Sequence, residues 1–336
     1  MSKRFRSKPP GVATFKSAHR LQQHVQKNAL ATLNAREWDA DWQERWVTFV
    51  DLIAFAARSL RSRDVVLNNI VRFDRASAMA RVAVPEVKVF RFSDSTFGVS
   101  EHFGSALAFG VAIHHACLAL NAEYLKRADN PLFIHTITPR VTLARGAVLC
   151  VPDDADLSGR FDGIDPKSLI AGAGIVNAYK LEKASAGGLL TTTLEGLVEF
   201  ERLAYRGGPT STQTYLTSWR SRRSKAHPNG NLFVRGKVFD VPWLLLRPQQ
   251  ADAGRLWCAE WPDAVEATRS FLKLWELAVR EFYVPAGAES LLETTKHFAS
   301  ALRHGVNCAQ ARAGQYTAQY YTIEGAISIL NSGRAG

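Results

Sequence analysis

The clearest pattern along the chain is a run of apolar residues that a single carboxylate interrupts. Residues 46–53, WVTFVDLI, are rich in side chains that favour β-strands, and Asp51 lies among them. Val87–Phe92 alternates apolar with basic side chains, which is the period of a half-buried strand. Ser93-Asp94-Ser95 has the chemistry of a turn, and residues 96–99 predict the returning strand. The pattern therefore predicts a buried strand that carries Asp51, followed by a hairpin with Asp94 at its tip.

Helical spacing of apolar residues fills most of the chain between the predicted strands. It predicts helices over residues 55–82, 103–126, 168–184 and beyond 262. Further strands are predicted over 140–151, 187–193 and 232–241. Strands that alternate with helices and include a hairpin predict an α+β domain with a partly antiparallel sheet. We predict three regions: a basic N-terminal extension (1–40), the sheet-containing domain (41–250) and a mainly helical C-terminal region (251–336).

Composition narrows the class of protein without choosing a function. Hydrophobic residues make up 46% of the 336 residues, enough for a packed core. The four cysteines contain no CxxC pair, which argues against a disulfide scaffold or zinc cluster and favours a cytoplasmic protein. No apolar run follows the basic N-terminus, and the apolar stretch Gly104–Leu120 is short for a bilayer and contains two histidines. We therefore predict a core helix there and no stable membrane insertion.

The net charge of +11 attracts anions in general: nucleic acid, acidic membrane surfaces or nucleotides. A basic run over 220–225 beside Trp219 is either a solvated loop or a nucleic-acid contact, and the solvated loop is favoured. Asp51 is more specific, because a carboxylate in an apolar strand is unfavourable unless it is paired, protonated or bound to metal. Asp94 is either a plain turn residue or a second ligand. Two carboxylates from neighbouring strands would suit Mg²⁺ or Mn²⁺.

Four short motifs, in this order along the chain, resemble those of class III nucleotide cyclases. Residues 49–55, FVDLIAF, resemble the first metal motif of that family, and FSDS at 92–95 resembles its second. RGAV at 145–148 resembles the next central strand, and GAGIVNAYKLE at 172–182 resembles a later helix. The details FSDS, RGA and AYKLE are most similar to the bacterial pyrimidine cyclases of Pycsar anti-phage systems. The resemblance covers residues 44 to 185 and implies a cyclase-like α+β fold with a mixed, largely antiparallel sheet flanked by helices.

The resemblance also implies a reaction and a set of roles. The enzyme would be a homodimer that cyclises a pyrimidine nucleoside triphosphate, UTP in preference to CTP, and releases pyrophosphate, using two divalent cations (Mn²⁺ or Mg²⁺). The product would be read by a separate effector in anti-phage defence. The implied site residues are Asp51, Asp94 and the Leu52 carbonyl for the metals, Phe49 and Arg91 for the nucleotide, and Lys180 with the two aspartates for catalysis.

Several alternatives stay open at the level of sequence. Phe49 is either a base contact or a core residue, and Arg91 is either a base contact or part of a solvated strand face. Arg145 is either a phosphate contact or a strand-end surface charge. The family's usual Asn–Arg pair falls on Val176 and Lys180, with an asparagine one place later at Asn177. A purine cyclase and a non-enzymatic basic nucleic-acid-binding protein are the competing functions.

Overall fold

A computed structural model describes residues 42–150, 170–185, 187–206, 234–235, 238–241, 243–247, 257, 261–283 and 285. The chain divides into two units, of which one comprises residues 1–43 with 149–169 and the other 44–148 with 170–336. Nearly all described residues belong to the second unit. The predicted boundaries near residues 40 and 250 and the basic run 220–225 lie outside the described residues and stay predictions.

The larger unit is built on one mixed sheet. Its strands are β1 (Trp42–Leu52), β2 (Lys88–Phe92), β3 (Ser95–Ser100), β4 (Pro139–Cys150), β5 (Ile170–Ala171), β6 (Leu190–Thr193), β7 (Val234–Arg235) and β8 (Val238–Val241). Their order is β2-β3-β1-β4-β6-β8-β7, with β5 beside β4. The β1–β3, β2–β3, β6–β8 and β7–β8 pairs are antiparallel, and the β4–β6 pair is parallel. The predicted class, an α+β fold with a mixed and largely antiparallel sheet, is confirmed.

Six α-helices flank the described part of the sheet. They are α1 (Phe55–Ser59), α2 (Arg63–Ala83), α3 (Phe103–Arg127), α4 (Ala173–Leu181), α5 (Leu194–Arg206) and α6 (Trp261–Ala278), and a π-helical turn, Val279–Tyr283, follows α6. The single helix predicted over 55–82 is two helices, because the chain turns at residues 60–62 before α2 begins. The described start of the C-terminal region is helical, as predicted.

Helix α3 covers the face of the sheet that Trp46 and Thr48 share. Trp46 packs edge-on against Phe103 with ring centroids 4.9 Å apart, and the Thr48 hydroxyl donates to the Ala106 carbonyl at 2.8 Å. Among the described residues, α3 is the one helix long and apolar enough to cross a bilayer, although most of that window is buried in the protein. A core helix passes the same test, and the prediction of a core helix is confirmed.

Helix α4 packs on the opposite face through glycines. A Cβ added at Gly174 would lie 2.8 Å from a Val148 methyl and 3.0 Å from the Gly146 carbonyl oxygen. Only glycine permits so close an approach of helix and strand. The helix predicted over 168–184 is shorter than expected. Gly172 has a φ of 132°, which is outside the helical region, and α4 therefore begins after it. This close packing places α4 over the face of β1 that carries Asp51.

Candidate active site

Asp51 and Asp94 meet at one edge of the sheet. Asp51 lies near the end of β1, where it is level with Ser95 of β3 in the antiparallel register. The N–H of Leu52 donates to the Asp94 carbonyl at 3.2 Å, so the hairpin tip is tied to the end of β1. Ser93 begins the turn in the left-handed region, with φ of 52°. The backbone therefore brings the two predicted carboxylates to neighbouring positions, and the charge of Asp94 contributes to the raised pKa of Asp51.

Arg140 and Glu182 complete a charged group around Asp51. The Arg140 guanidinium donates to Asp51 Oδ2 at 2.9 Å and pairs with Glu182 Oε1 at 2.6 Å. Arg140 is the second residue of β4, and Glu182 lies just after α4, so two neighbouring strands and a helix end converge here. The three side chains are only 18–22% exposed. The Arg140 Nε is buried without a hydrogen-bond partner.

Burial shapes the electrostatics of this group. The pKa of Asp51 is raised from 3.8 to about 6, first of all because burial disfavours the charged carboxylate. The hydrogen bond and charge of Arg140 lower this pKa, while the nearby charges of Glu182 and Asp94 raise it. One arginine thus leaves the negative charge of three carboxylates incompletely balanced. A bound cation would supply the missing charge.

Phe49 lies two residues before Asp51 and therefore on the same face of β1. It is 4% exposed and contacts Phe97 and Tyr179, with ring centroids 4.7 and 5.5 Å away. Phe97 in turn contacts Phe92. Phe92 and Tyr179 are about half exposed, so the aromatic cluster extends from the core to the surface beside Asp51. Phe49 serves as core packing here, and its contact with a base stays a prediction.

Arg91 lies on the face of the sheet opposite Phe49, and its contact with a nucleotide stays a prediction. Arg91 is level with Thr96, whereas Asp51 is level with Ser95, and adjacent strand residues point to opposite faces. Its guanidinium pairs with Asp74 and lies over the Phe73 ring, both on α2. The two-residue turn fixes this register, so Arg91 and Phe49 point to opposite faces of the sheet.

Arg145 is also separated from Asp51. It lies five residues after Arg140 on β4, and an odd spacing places it on the other face. It pairs with Glu195 at 3.0 Å and Glu44 at 3.6 Å and is 43% exposed. Among the alternatives for Arg145, the structure favours the surface charge over the phosphate contact.

Lys180 lies on the exposed side of α4, and the same side carries Val176 and Tyr179. Asn177, the alternative catalytic residue, donates to the Arg145 carbonyl at 3.2 Å and so has a structural partner. The structure does not bring Lys180 into the group of Asp51, Arg140 and Glu182. A role for Lys180 in a partner subunit's site remains a prediction.

Solved structures of nucleotide cyclase domains align with this chain. They include the guanylyl cyclase Cya2, at 16% identity and a TM-score of 0.41 over 65% of this chain and 98% of that one. The guanylyl cyclase domain of the RhoGC fusion protein from the aquatic fungus Blastocladiella emersonii aligns at 18% identity and TM-score 0.36, over 48% and 86% of the two chains. The adenylyl cyclase CyaB from P. aeruginosa aligns at 16% and 0.36, over 48% and 81%.

No family model matches the chain, and no curated protein matches it. At the identities and TM-scores of the aligned cyclase domains, shared activity does not follow from the alignments. Function depends on the side chains of a site rather than on the fold that carries it.

The donor set at the sheet edge fits a divalent cation that is bound jointly with a substrate. The described residues contain no group of three or more His, Cys, Asp or Glu side chains that could hold a metal alone. Mg²⁺ commonly needs only one or two protein carboxylates when substrate phosphates and waters complete its shell. Asp51 and Asp94 carry hard carboxylate oxygens at neighbouring positions, and burial is the main cause of the raised pKa of Asp51. Their role as metal ligands stays a prediction. The predicted ligand role of the Leu52 carbonyl stays a prediction.

Proposed function

We propose that this protein is a class III-type nucleotide cyclase that converts a nucleoside triphosphate into a 3′,5′-cyclic mononucleotide and pyrophosphate. The observation that carries the proposal is the ion pair between Asp51 and the partly buried Arg140 at the end of β1, with Asp94 held beside it by the turn between β2 and β3. A protein that only binds anions through basic faces has no reason to retain Asp51 in an apolar strand, because the carboxylate is desolvated there.

The proposed reaction is an attack of the 3′-hydroxyl on the α-phosphate, and Asp51, Asp94, Arg140 and Glu182 would each assist it. The 3′-hydroxyl oxygen forms a bond to the α-phosphorus, its proton leaves to solvent, and the bond from that phosphorus to the bridging oxygen of pyrophosphate breaks. Asp51 and Asp94 would hold two divalent cations, Mn²⁺ or Mg²⁺, which when bound supply charge neutralisation and hydroxyl activation. Arg140 already lies beside Asp51 and carries donors that suit phosphate oxygens. Glu182 pairs with the same Nη2 of Arg140 as Asp51 does and helps to hold the guanidinium in place.

We further propose that the substrate is a pyrimidine, UTP in preference to CTP, and that the product is a second messenger in anti-phage defence, read by a separate effector. Phe49 supports the base preference because it shares a strand face with Asp51 and is backed by Phe97. A ring fixed in this way leaves less room for the second ring of a purine. The choice of UTP and the defence role rest on the motif resemblance alone.

We also propose that the active unit is a homodimer. Phe92, Val176 and Tyr179 are 45–54% exposed on the Asp51 side of the sheet. Exposed apolar side chains near a charged site are typical of surfaces that a partner covers. Lys180, one residue after Tyr179, would then face the partner's site.

Mixing inactive subunits tests the dimer. Asp51→Asn and Lys180→Ala chains should each be inactive alone, and their mixture should regain about one good site per heterodimer if Lys180 acts in the partner's site. An active monomer at micromolar concentration contradicts the dimer. Absence of rescue excludes the trans role of Lys180.

The function itself is tested by offering each of the four nucleoside triphosphates with Mn²⁺ and identifying the products by mass. We expect cyclic UMP as the main product, with cyclic CMP second. Faster cyclisation of ATP or GTP would show a purine cyclase. Absence of any cyclic product, together with salt-dependent binding of mixed DNA, would favour the nucleic-acid-binding alternative.

A further inference from the structure

A pocket lies against α1, apart from the charged group formed by Asp51, Arg140 and Glu182. Its volume is about 540 Å³. Its walls come from α1, from the segment before β4 and from the π-helical turn after α6. None of Asp51, Asp94, Arg140 or Glu182 lines it. The pocket is therefore not part of the proposed catalytic edge.

Three arginines and one glutamate line this pocket: Arg58, Arg61, Arg280 and Glu281. The glutamate is already engaged, because its Oε2 accepts the Phe133 N–H at 2.6 Å and its Oε1 pairs with Arg280 at 2.8 Å. The wall thus keeps an excess of positive charge. The remaining lining is largely apolar and includes Phe133 and Phe282, whose rings stack at 6.2 Å.

Arg58 is the unusual member of this wall. It is 4% exposed, and its guanidinium lies over the Phe133 ring at 4.6 Å. Nη1 donates to the Thr136 carbonyl, but the buried Nη2 has no hydrogen-bond partner. Burial also lowers the pKa of Arg58 to about 10. A buried guanidinium nitrogen without an acceptor leaves the positive charge of Arg58 incompletely compensated, and an anion in the neighbouring pocket would offset that charge.

We propose that this pocket binds a small organic anion, with its acidic group attracted by the three arginines of the wall and its apolar body against Phe133 and Phe282. A carboxylate and a phosphate monoester share the required chemistry, since both present two or more anionic oxygens to a guanidinium. The apolar wall excludes a bare inorganic ion as the preferred ligand, because such an ion leaves the two phenylalanine rings uncovered.

Methyl NMR of the full chain, without metal or nucleotide, tests the proposal with four probes: benzoate, phenyl phosphate, inorganic phosphate and benzyl alcohol. Ala57, Leu132 and Ile134 report on the pocket, and Val198, which is 55% exposed on α5, is the internal control. We expect saturable shifts of the pocket methyls with benzoate or phenyl phosphate, at a dissociation constant of about 1 mM or below. Binding of either supports the proposal, and the tighter one identifies the acidic group. Benzyl alcohol binding as tightly as both anions, or no anion binding, overturns it.

Two variants separate a binding role of Arg58 from a structural one. Arg58→Met keeps an apolar contact with Phe133 and should weaken anion binding roughly tenfold or more, because a positive charge beside the pocket is lost. Ala57→Phe, at an exposed position of the wall, should block the pocket while every charge remains. Arg269→Gln, which removes an exposed arginine paired with Glu266 on α6, should leave binding unchanged. Unchanged benzoate and phenyl phosphate binding in Ala57→Phe overturns the proposal even if Arg58→Met fails to fold.

Discussion

Two arginines on the same strand show how differently this molecule uses ion pairs. Arg140 is 20% exposed, lies between Asp51 and Glu182 and keeps a buried nitrogen unpaired. Arg145, five residues later on the other face, is 43% exposed and pairs with Glu195 and Glu44, which are more than half exposed. Exposed pairs contribute about 0–1 kcal/mol to stability and need no special explanation.

The partly buried ion pair between Arg140 and Asp51 does need an explanation. Desolvation of buried charges often exceeds what their attraction returns. Asp51 shows this directly, because its pKa is raised despite the arginine beside it. A site that keeps charge where charge is unfavourable is a candidate for function. The comparison therefore predicts that substitutions around Arg140 affect activity and that similar ones around Arg145 do not.

The largest expected effect concerns the carboxylates. Asp94→Asn and Asp51→Asn should each lower kcat by about a thousandfold or more, because the loss of a metal ligand removes several kcal/mol of transition-state stabilisation. Asp74→Asn, which removes the exposed partner of Arg91 on the opposite face, is the matched control and should stay within about threefold. Steady-state turnover of UTP with Mn²⁺ is the measurement. Equal losses in all three variants would contradict the assignment.

The second effect compares the two arginines directly. Arg140→Gln should lower kcat/KM by about a hundredfold, since it removes a charged donor beside the proposed phosphate site. Arg145→Gln should change kcat/KM by no more than about threefold. Urea unfolding of both variants shows whether either loss reflects instability. If Arg145→Gln lowers activity as much as Arg140→Gln while both remain folded, the two arginines do not differ as described.

The third effect concerns the base. Phe49→Leu should narrow the preference for UTP over ATP by roughly tenfold, because a smaller side chain relieves the crowding of a purine. Arg91→Gln is the control and should leave the preference unchanged, as Arg91 faces α2. Competition between UTP and ATP in one reaction measures the ratio. A change with Arg91→Gln but none with Phe49→Leu would reverse the assignment of the two faces.

The smallest effect is on stability. The folded protein binds the Asp51 proton more tightly than the unfolded chain does, because the pKa of Asp51 is raised to about 6. Deprotonation therefore destabilises the fold as pH rises from about 4 through about 6. Asp51→Asn should raise the free energy of unfolding of the metal-free protein by about 1 to 2 kcal/mol at pH 7 and by nothing below pH 4. Denaturant titrations at several pH values check this. A variant that is less stable than wild type at pH 7 would contradict the raised pKa.

The sequence predicted the strands at this edge because their signals are local. A carboxylate inside an apolar run and turn residues after an alternating run are visible within a few positions, so Asp51 and Asp94 were found without tertiary information. The same alternation places Arg91 on the face opposite Phe92, and its contact with a nucleotide stays a prediction.

Arg140 and Glu182 could not be found in this way. Their contact joins the start of β4 to the end of α4 across 42 positions, and it depends on the close approach of Gly146 and Gly174. The one local signal was an arginine at the start of a mostly apolar strand, and the same strand also carries Arg145. Arg58 was missed for a similar reason, since its burial depends on Phe133, far along the chain.

Binding of Mn²⁺ at Asp51 and Asp94 tests the proposed metal site most directly, because metal binding does not depend on which base the enzyme prefers. The measurement is electron paramagnetic resonance of Mn²⁺ titrated into wild type and Asp51→Asn with 3′-deoxy-UTP, which cannot cyclise. We predict nucleotide-dependent binding of two Mn²⁺ ions per site in wild type and loss of at least one in the variant. Equal stoichiometry and affinity in the two proteins would contradict a metal site at Asp51 and, with it, the proposed cyclase mechanism.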